Sequence, residues 1–188
     1  YHVMANHYYQ AGNYAEAIRH AEKAAELDPT QARYFLNLGF YNNMAGNSEP
    51  ALAAYEKALA LDAFMPLTYT NRAAIYIDQK RYPEAMEDLS KAIDLDPLHP
   101  EAWINRAVTR LELGNLNGAL DDASRAMELS PGHPWAIHMR GVAYHALKRY
   151  AEAVADFNLV LPSTEHWFAA SYPTRADAKQ ALGDKAGA

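Results

Sequence analysis

Apolar and small residues recur at helical spacing in segments of about a dozen residues, separated by short turns rich in proline, glycine and asparagine. The stretch from Pro100 to His133 shows the unit. Pro100 stands where a helix begins, a position that needs no backbone N–H and suits a fixed φ. Trp103, Ala107 and Arg110/Leu111 then follow at helical spacing up to Gly114-Asn115, which reads as a helix stop and turn. A second helix carries Ala119, Ala123 and Ala126 on one face, small side chains that let helices approach closely. Ser130-Pro131 ends it, because proline cannot continue a helix.

The unit repeats. Asparagine returns at Asn37, Asn71 and Asn105, 34 residues apart each time, and proline at Pro66, Pro100 and Pro134. Alanine recurs at Ala17, Ala51, Ala85, Ala119 and Ala153, and a second series runs Ala24, Ala58, Ala92, Ala126 and Val160. Asp28-Pro29 and Asp96-Pro97 close second helices, Pro50 and Pro83 open them, and Ser48 is expected to be an N-cap. A fixed period of this length means one supersecondary unit copied in tandem, each copy burying its apolar face against its neighbours. The predicted fold is all-α, an α-solenoid of antiparallel helix pairs. Such a chain presents a long surface rather than assembling a catalytic pocket.

The pattern resembles the tetratricopeptide repeat, whose signature is Trp-x2-Leu-Gly-x2-Tyr followed by Ala-x3-Phe, Ala and Pro. Phe35, Leu38, Gly39, Ala51, Tyr55 and Ala58 match it in the second unit, and Tyr69, Ala73, Tyr76, Ala85, Ala92 and Pro97 in the third. Trp103, Ala107, Ala119, Ala126 and Pro131 match in the fourth, and Gly141, Tyr144, Ala153 and Phe157 in the fifth. The resemblance implies a right-handed superhelix of about 5.5 repeats, laid out as one domain over 1–188, with repeats at 1–31, 32–65, 66–99, 100–133 and 134–167. A partial sixth repeat or capping helix would occupy 168–188. The pattern departs from the signature at both ends. Tyr1 already sits at the Trp position, so the chain reads as a fragment or processed product. The fifth unit ends early at Leu161-Pro162, and after a loop to Trp167 the pattern restarts at Tyr172, Arg175, Ala176 and Gly183. A lone helix is expected over 174–182, either a terminal cap or the point where the array was cut.

Composition narrows the classes. A net charge of -6 leaves no basic stripe for nucleic acid, and no apolar run approaches the length needed to cross a membrane. Cysteine is absent, which removes disulfides and thiolate metal sites and fits a cytoplasmic or a periplasmic setting equally. The alanine-rich composition suggests a bacterial source.

Two further columns change together. Met4, Leu38, Arg72, Arg106, Arg140 and Arg175 occupy one, and sixteen residues on stand His20, Ala54, Asp88, Asp122 and Asp156. Arginine meets aspartate in units three, four and five, and neither appears in units one and two. The expected cause is a salt bridge joining the two helices of one unit: Arg72 with Asp88, Arg106 with Asp122, Arg140 with Asp156. The alternative is that these arginines grip an acidic ligand.

In arrays of this family the first helices line a concave groove. The resemblance places groove contacts at Asn37, Phe40, Met44, Asn71, Ile104, Asn105, Val108, Trp135, His138, Met139 and His145. The asparagine series is similar to the ladder of the O-linked N-acetylglucosamine transferase superhelix, whose amides hold peptide backbone; an Asn amide both donates and accepts and so ignores sequence. Asparagine is also common at this position of the family generally, which leaves ladder and family habit both open. Phe40, Ile104, Trp135 and Met139 would select side chains. Some relatives clamp acidic chaperone tails with lysines and arginines, but His2, Asn6, Asn37, Leu67 and Asn71 stand at those positions here. The expected partner is therefore another protein that offers a neutral or apolar peptide segment.

Other chemistry finds little footing. His138 and His145 lie seven apart on one helix face without a third ligand, so no metal site is expected. No phosphate loop, nucleophile elbow or His-Glu-x-x-His motif occurs, so neither catalysis nor a cofactor is expected of these residues. Two other roles remain open: an assembly module that self-associates through its terminal repeats near Trp167, Phe168 and Tyr172, or a regulatory arm of a larger enzyme.

Overall fold

The computed structural model describes residues 1–160 and 171–183. They are all-α, and among the described residues there are eleven helices and no strand. The chain divides into two compact units, Tyr1–Asp96 and Pro97–Ala188. The first holds α1 (His2–Gln10), α2 (Tyr14–Leu27), α3 (Ala32–Met44), α4 (Ser48–Leu61), α5 (Pro66–Asp78) and α6 (Tyr82–Leu95). The second holds α7 (Pro100–Glu112), α8 (Leu116–Leu129), α9 (Pro134–Ala146), α10 (Tyr150–Val160) and α11 (Ser171–Ala181). Within each unit, consecutive helices pack as hairpins and the hairpins stack in chain order, the arrangement of an α-solenoid.

The repeating alanines are the joints. Ala17, Ala51, Ala85, Ala119 and Ala153 are all fully buried, as are Ala58 and Ala126, and Ala92 is nearly so. Each is small and enclosed, so a larger side chain there would push its neighbours apart. The prolines at 66, 100 and 134 each open a first helix at its first residue. Ser48 is a correction: it is the first residue of α4, and the cap position belongs to Asn47, which makes no side-chain cap bond. Asn13 and Asn115 do cap, accepting from the backbone N–H of Glu16 at 3.2 Å and Gly118 at 3.1 Å.

The turn inside each hairpin comes in two chemistries. Units one, two and four use Gly-Asn, as at Gly114-Asn115, where glycine takes a φ of 77°. Units three and five use Lys-Arg, so that Lys80 and Lys148 hold left-handed backbone at φ 58° and 60°. That conformation costs a non-glycine residue about 1–2 kcal/mol. The arginine that follows offsets part of it. Arg81 bonds Glu84 at 3.0 Å and lies 4.4 Å from the Tyr76 ring; Arg149 bonds Glu152 at 2.9 Å and lies 4.5 Å from Tyr144.

A size match also links the two helices of a unit. A Cβ added to Gly39 would meet the Tyr55 ring at 2.5 Å, and one added to Gly141 would meet Phe157 at 2.7 Å. Tyr55 and Phe157 are fully buried against those glycines. Unit three places Ala73 with Leu89 at the same spacing, again a larger residue with a smaller one, whereas unit four pairs two alanines, Ala107 and Ala123.

The last helix begins at Ser171 rather than at residue 174 and ends at Ala181. Its Pro173 falls in the first turn, where a missing N–H costs nothing. Ala178 is fully buried against Ala153 and Phe157, so α11 covers the end of the fifth hairpin. Leu161-Pro162, Trp167 and Phe168 lie outside the described residues.

Candidate functional site

The arginine–aspartate columns meet inside three hairpins. Arg72 donates to Asp88 from Nε and Nη2, both at 2.7 Å. Arg106 does the same to Asp122 at 2.9 Å twice, and Arg140 to Asp156 at 2.8 and 2.6 Å. These are the parallel two-point pairs that guanidinium and carboxylate favour. The three aspartates are buried, and the pairing holds the Arg72 and Arg140 guanidinium groups more firmly protonated than usual. Each arginine also lies over an aromatic ring: Arg72 near Tyr69 and Tyr76, Arg106 over Trp103, Arg140 near Tyr144. With Nε and Nη2 both committed to the aspartate, that edge of each arginine ties the two helices of its hairpin together. Sequence reasoning missed a fourth arginine. Arg110 Nη1 reaches Asp122 at 2.8 Å and the Gly118 carbonyl at 2.9 Å. The other units hold Tyr8, Asn42, Tyr76 and Tyr144 there; that break in the column, paired with Gly118 where units one, three and five carry glutamate, was the available signal.

In the first unit the first helices α1, α3 and α5 lie side by side around a recess of about 250 Å³. Asn6 and Tyr9 come from α1; Leu36, Asn37, Phe40 and Tyr41 from α3; Leu67 and Asn71 from α5. None of the eight is charged. Phe40 packs edge-on to Tyr9 at 5.1 Å, which fixes the floor. Asn37 is engaged on one side only, its Nδ2 at 3.1 Å from Nδ1 of His2. Burial and the charge of Arg33 hold the His2 imidazole below its ordinary pKa, so near neutrality its nitrogen accepts from that amide. Asn71 faces the buried Tyr55 hydroxyl, whose acidity burial suppresses strongly and Asn71 slightly restores. The contact is too loose for a hydrogen bond, and the hydroxyl has no other partner among the described residues.

In the second unit α7 and the start of α9 enclose a recess of about 340 Å³, formed by Glu101, Ile104, Asn105, Val108, His133 and Trp135. Its walls are mostly apolar, and Trp135 is 42% exposed. The Asn105 carbonyl accepts the Thr109 hydroxyl at 2.8 Å, and among the described residues its side-chain amide has no partner.

The expected groove residues divide. Asn37, Phe40 and Asn71 gather at the first recess, and Ile104, Asn105, Val108 and Trp135 at the second. Met44 is exposed at the last turn of α3, outside both. His138 and Met139 are corrected: at 7% and 8% exposure they are packed into the second unit, His138 against Trp135 and Phe157, Met139 in the cluster with Ala107 and Ala136. They support the recess wall and have little surface left for a ligand. His145 stands edge-on to Tyr150 at 5.6 Å, away from the recess residues. Among the described residues no group of three His, Asp or Glu side chains is arranged as a metal site, and no helix is long and apolar enough to cross a membrane.

Comparison with known proteins agrees with this architecture. Tetratricopeptide repeat models match residues 1–63, 66–98, 89–121 and 136–161. No curated protein matches the chain in sequence. Among solved structures, Pseudomonas aeruginosa PilF is 23% identical, with 97% of this chain and 82% of that one covered at a TM-score of 0.85. PilW, a type IV pilus biogenesis factor, is 18% identical, with 98% and 86% covered at 0.87. YrrB, described as having an unusual peptide-binding site, is 22% identical, with 88% and 84% covered at 0.74. At these identities the likeness is one of fold. With repeat matches along most of its length and the helix-pair architecture that they imply, this chain belongs to the tetratricopeptide-repeat family.

Proposed function

We propose that the chain is an interaction scaffold that binds a peptide segment of a partner protein on the face presented by its first helices. The family is one of protein-interaction repeats, and its fold is generally non-catalytic. The observation that carries the reading is the composition of the two recesses. Each combines an apolar or aromatic floor with asparagine amides that retain bonding capacity: Asn37 and Asn71 in the first, Asn105 in the second. The floor takes side chains, and the amides take backbone N–H and C=O groups whatever the sequence. The absence of lysine and arginine from either lining disfavours an acidic tail and suits a neutral or apolar segment.

The test is selection from a randomised peptide library on immobilised protein, followed by affinity measurement on enriched sequences. Each hydrogen bond to backbone is worth about 0.5–1.5 kcal/mol net. Asn37→Ala with Asn71→Ala should therefore weaken binding at the first recess by about 1–3 kcal/mol, and Asn105→Ala weakens the second by half that. Peptides bound equally by wild type and by the folded asparagine variants overturn the backbone-reading role. Failure to enrich any peptide overturns the groove reading, and concentration-dependent mass would then favour self-association.

A further inference from the structure

The fourth hairpin holds one arginine more than its buried carboxylate matches, and we infer that Arg110 is a docking point for an acidic side chain of a partner protein. Units three and five set one guanidinium against one buried carboxylate, Arg72 with Asp88 and Arg140 with Asp156. Unit four sets two, Arg106 and Arg110, against Asp122 alone. Arginine keeps its charge at any working pH, so the arrangement leaves one positive charge over. Glu112 on α7 and Asp121 on α8 make no ion pair with Arg110. The same place in units three and five shows what is missing. There Arg81 and Arg149 lie over the Tyr76 and Tyr144 rings and bond Glu84 and Glu152 at 3.0 and 2.9 Å. In unit four Arg110 stands in the tyrosine column, Asn115 in the arginine column and Gly118 in the glutamate column. A guanidinium is kept at this end of the hairpin and its carboxylate is not. Accordingly α8 has no acidic residue in its first turn, whereas α2, α4, α6 and α10 each carry a glutamate there.

The three nitrogens of Arg110 have different fates. Nη1 is held by Asp122 at 2.8 Å and by the Gly118 carbonyl at 2.9 Å. Nε is enclosed, so it serves no ligand. Nη2 has no partner among the described residues and is not enclosed, and the side chain as a whole is 22% exposed. Nη2 therefore reaches solvent as a charged donor, and the bonds to Nη1 fix where it stands. A carboxylate oxygen at Nη2 makes the charge-assisted bond that Glu84 and Glu152 make within their own hairpins, and it restores one carboxylate per guanidinium. Glutamate and aspartate side chains of a partner carry that group at the end of a short arm. Arg110 lines neither recess, so this contact is separate from the peptide segment proposed above and does not rest on it.

The experiment follows the Arg110 Nε–H signal in heteronuclear NMR spectra of the whole chain, identified by its loss in Arg110→Gln. That variant leaves Asp122 with both of its bonds from Arg106, so the hairpin keeps its ion pair. The probes are the capped tripeptide acetyl-Ala-Glu-Ala-amide, its glutamine counterpart and inorganic phosphate. The glutamate peptide should move the signal at about fivefold lower concentration than the glutamine peptide, the upper end for one partly exposed charge pair. The difference should shrink as salt is added. Gly118→Glu supplies the carboxylate from within the hairpin and should abolish the response; circular dichroism melting checks that it folds, and the comparison of the two peptides on wild type stands without it. Equal responses to the two peptides, or no response to the glutamate peptide, overturn the inference. A signal moved by phosphate and not by the glutamate peptide overturns it in favour of a free-anion site.

Discussion

Replacing Arg72 by alanine strands a carboxylate that the fold cannot otherwise satisfy. Asp88 is 4% exposed and receives both of its strong hydrogen bonds from Arg72, at 2.7 Å each. Removing one partner of such a buried pair costs about 3–5 kcal/mol, because the remaining charge stays desolvated. In a chain of this size that is on the order of 10 °C in melting temperature. The corresponding loss at Arg106 should be smaller, about 1–3 kcal/mol, since Arg110 still holds Asp122 at 2.8 Å. Changing both residues of the third hairpin to the pair found in the second, Arg72→Leu with Asp88→Ala, should cost no more than about 1 kcal/mol. The assay is urea unfolding of the single and double variants. Amide exchange on α5 and α6 assigns the loss to the hairpin, since repeat arrays need not unfold in one step. Equal losses in Arg72→Ala and the double variant would refute the stranded-charge argument. A larger loss at Arg106 than at Arg72 would refute the role given to Arg110.

Two other consequences concern packing and pH. Gly141→Ala brings a Cβ to within 2.7 Å of Phe157 and should destabilise by about 1–3 kcal/mol, with partial rescue by Phe157→Leu, the partner that Ala73 faces; thermal melts of both variants check this. Burial depresses the His138 pKa below the ordinary histidine value of about 6.5, so the unfolded chain takes up that proton first as pH falls. The histidine's contribution is thus intact above that value and is lost as pH drops through it towards the folded pKa. Melting temperatures of wild type and His138→Leu from pH 7.5 to 5 should diverge on acidification, and parallel curves would refute the assignment.

Much of the fold was legible because its signals are local and repeated. Pro66, Pro100 and Pro134 open their helices through a property of the residue itself, and the alanine columns are buried because their period matches one face of a helix. The arginine and aspartate columns could be paired within one chain since they rise and fall together at a constant spacing of sixteen. Arg110 escaped that reasoning, because it occurs once and a single break in a column carries no covariation. Ser48 was misplaced for a related reason: serine and asparagine both cap helices, and the choice between Asn47 and Ser48 depends on where the backbone turns.

The candidate site was less legible. Asn37, Asn71 and Asn105 share one position in the repeat, yet their surroundings differ: His2 bonds the first, the Tyr55 hydroxyl faces the second, and the third is unengaged among the described residues. His138 and Met139 sit at groove positions by register but are buried, because bulk brought from α10 and α8 covers them. The sequence by itself determined the helix pairs, their order and the joints between them, since a 34-residue period repeats the same local preferences five times. Only the tertiary structure decided which side chains at equivalent positions remain open to a ligand. That depends on the size and charge of neighbours a full helix away in space, which no local preference encodes.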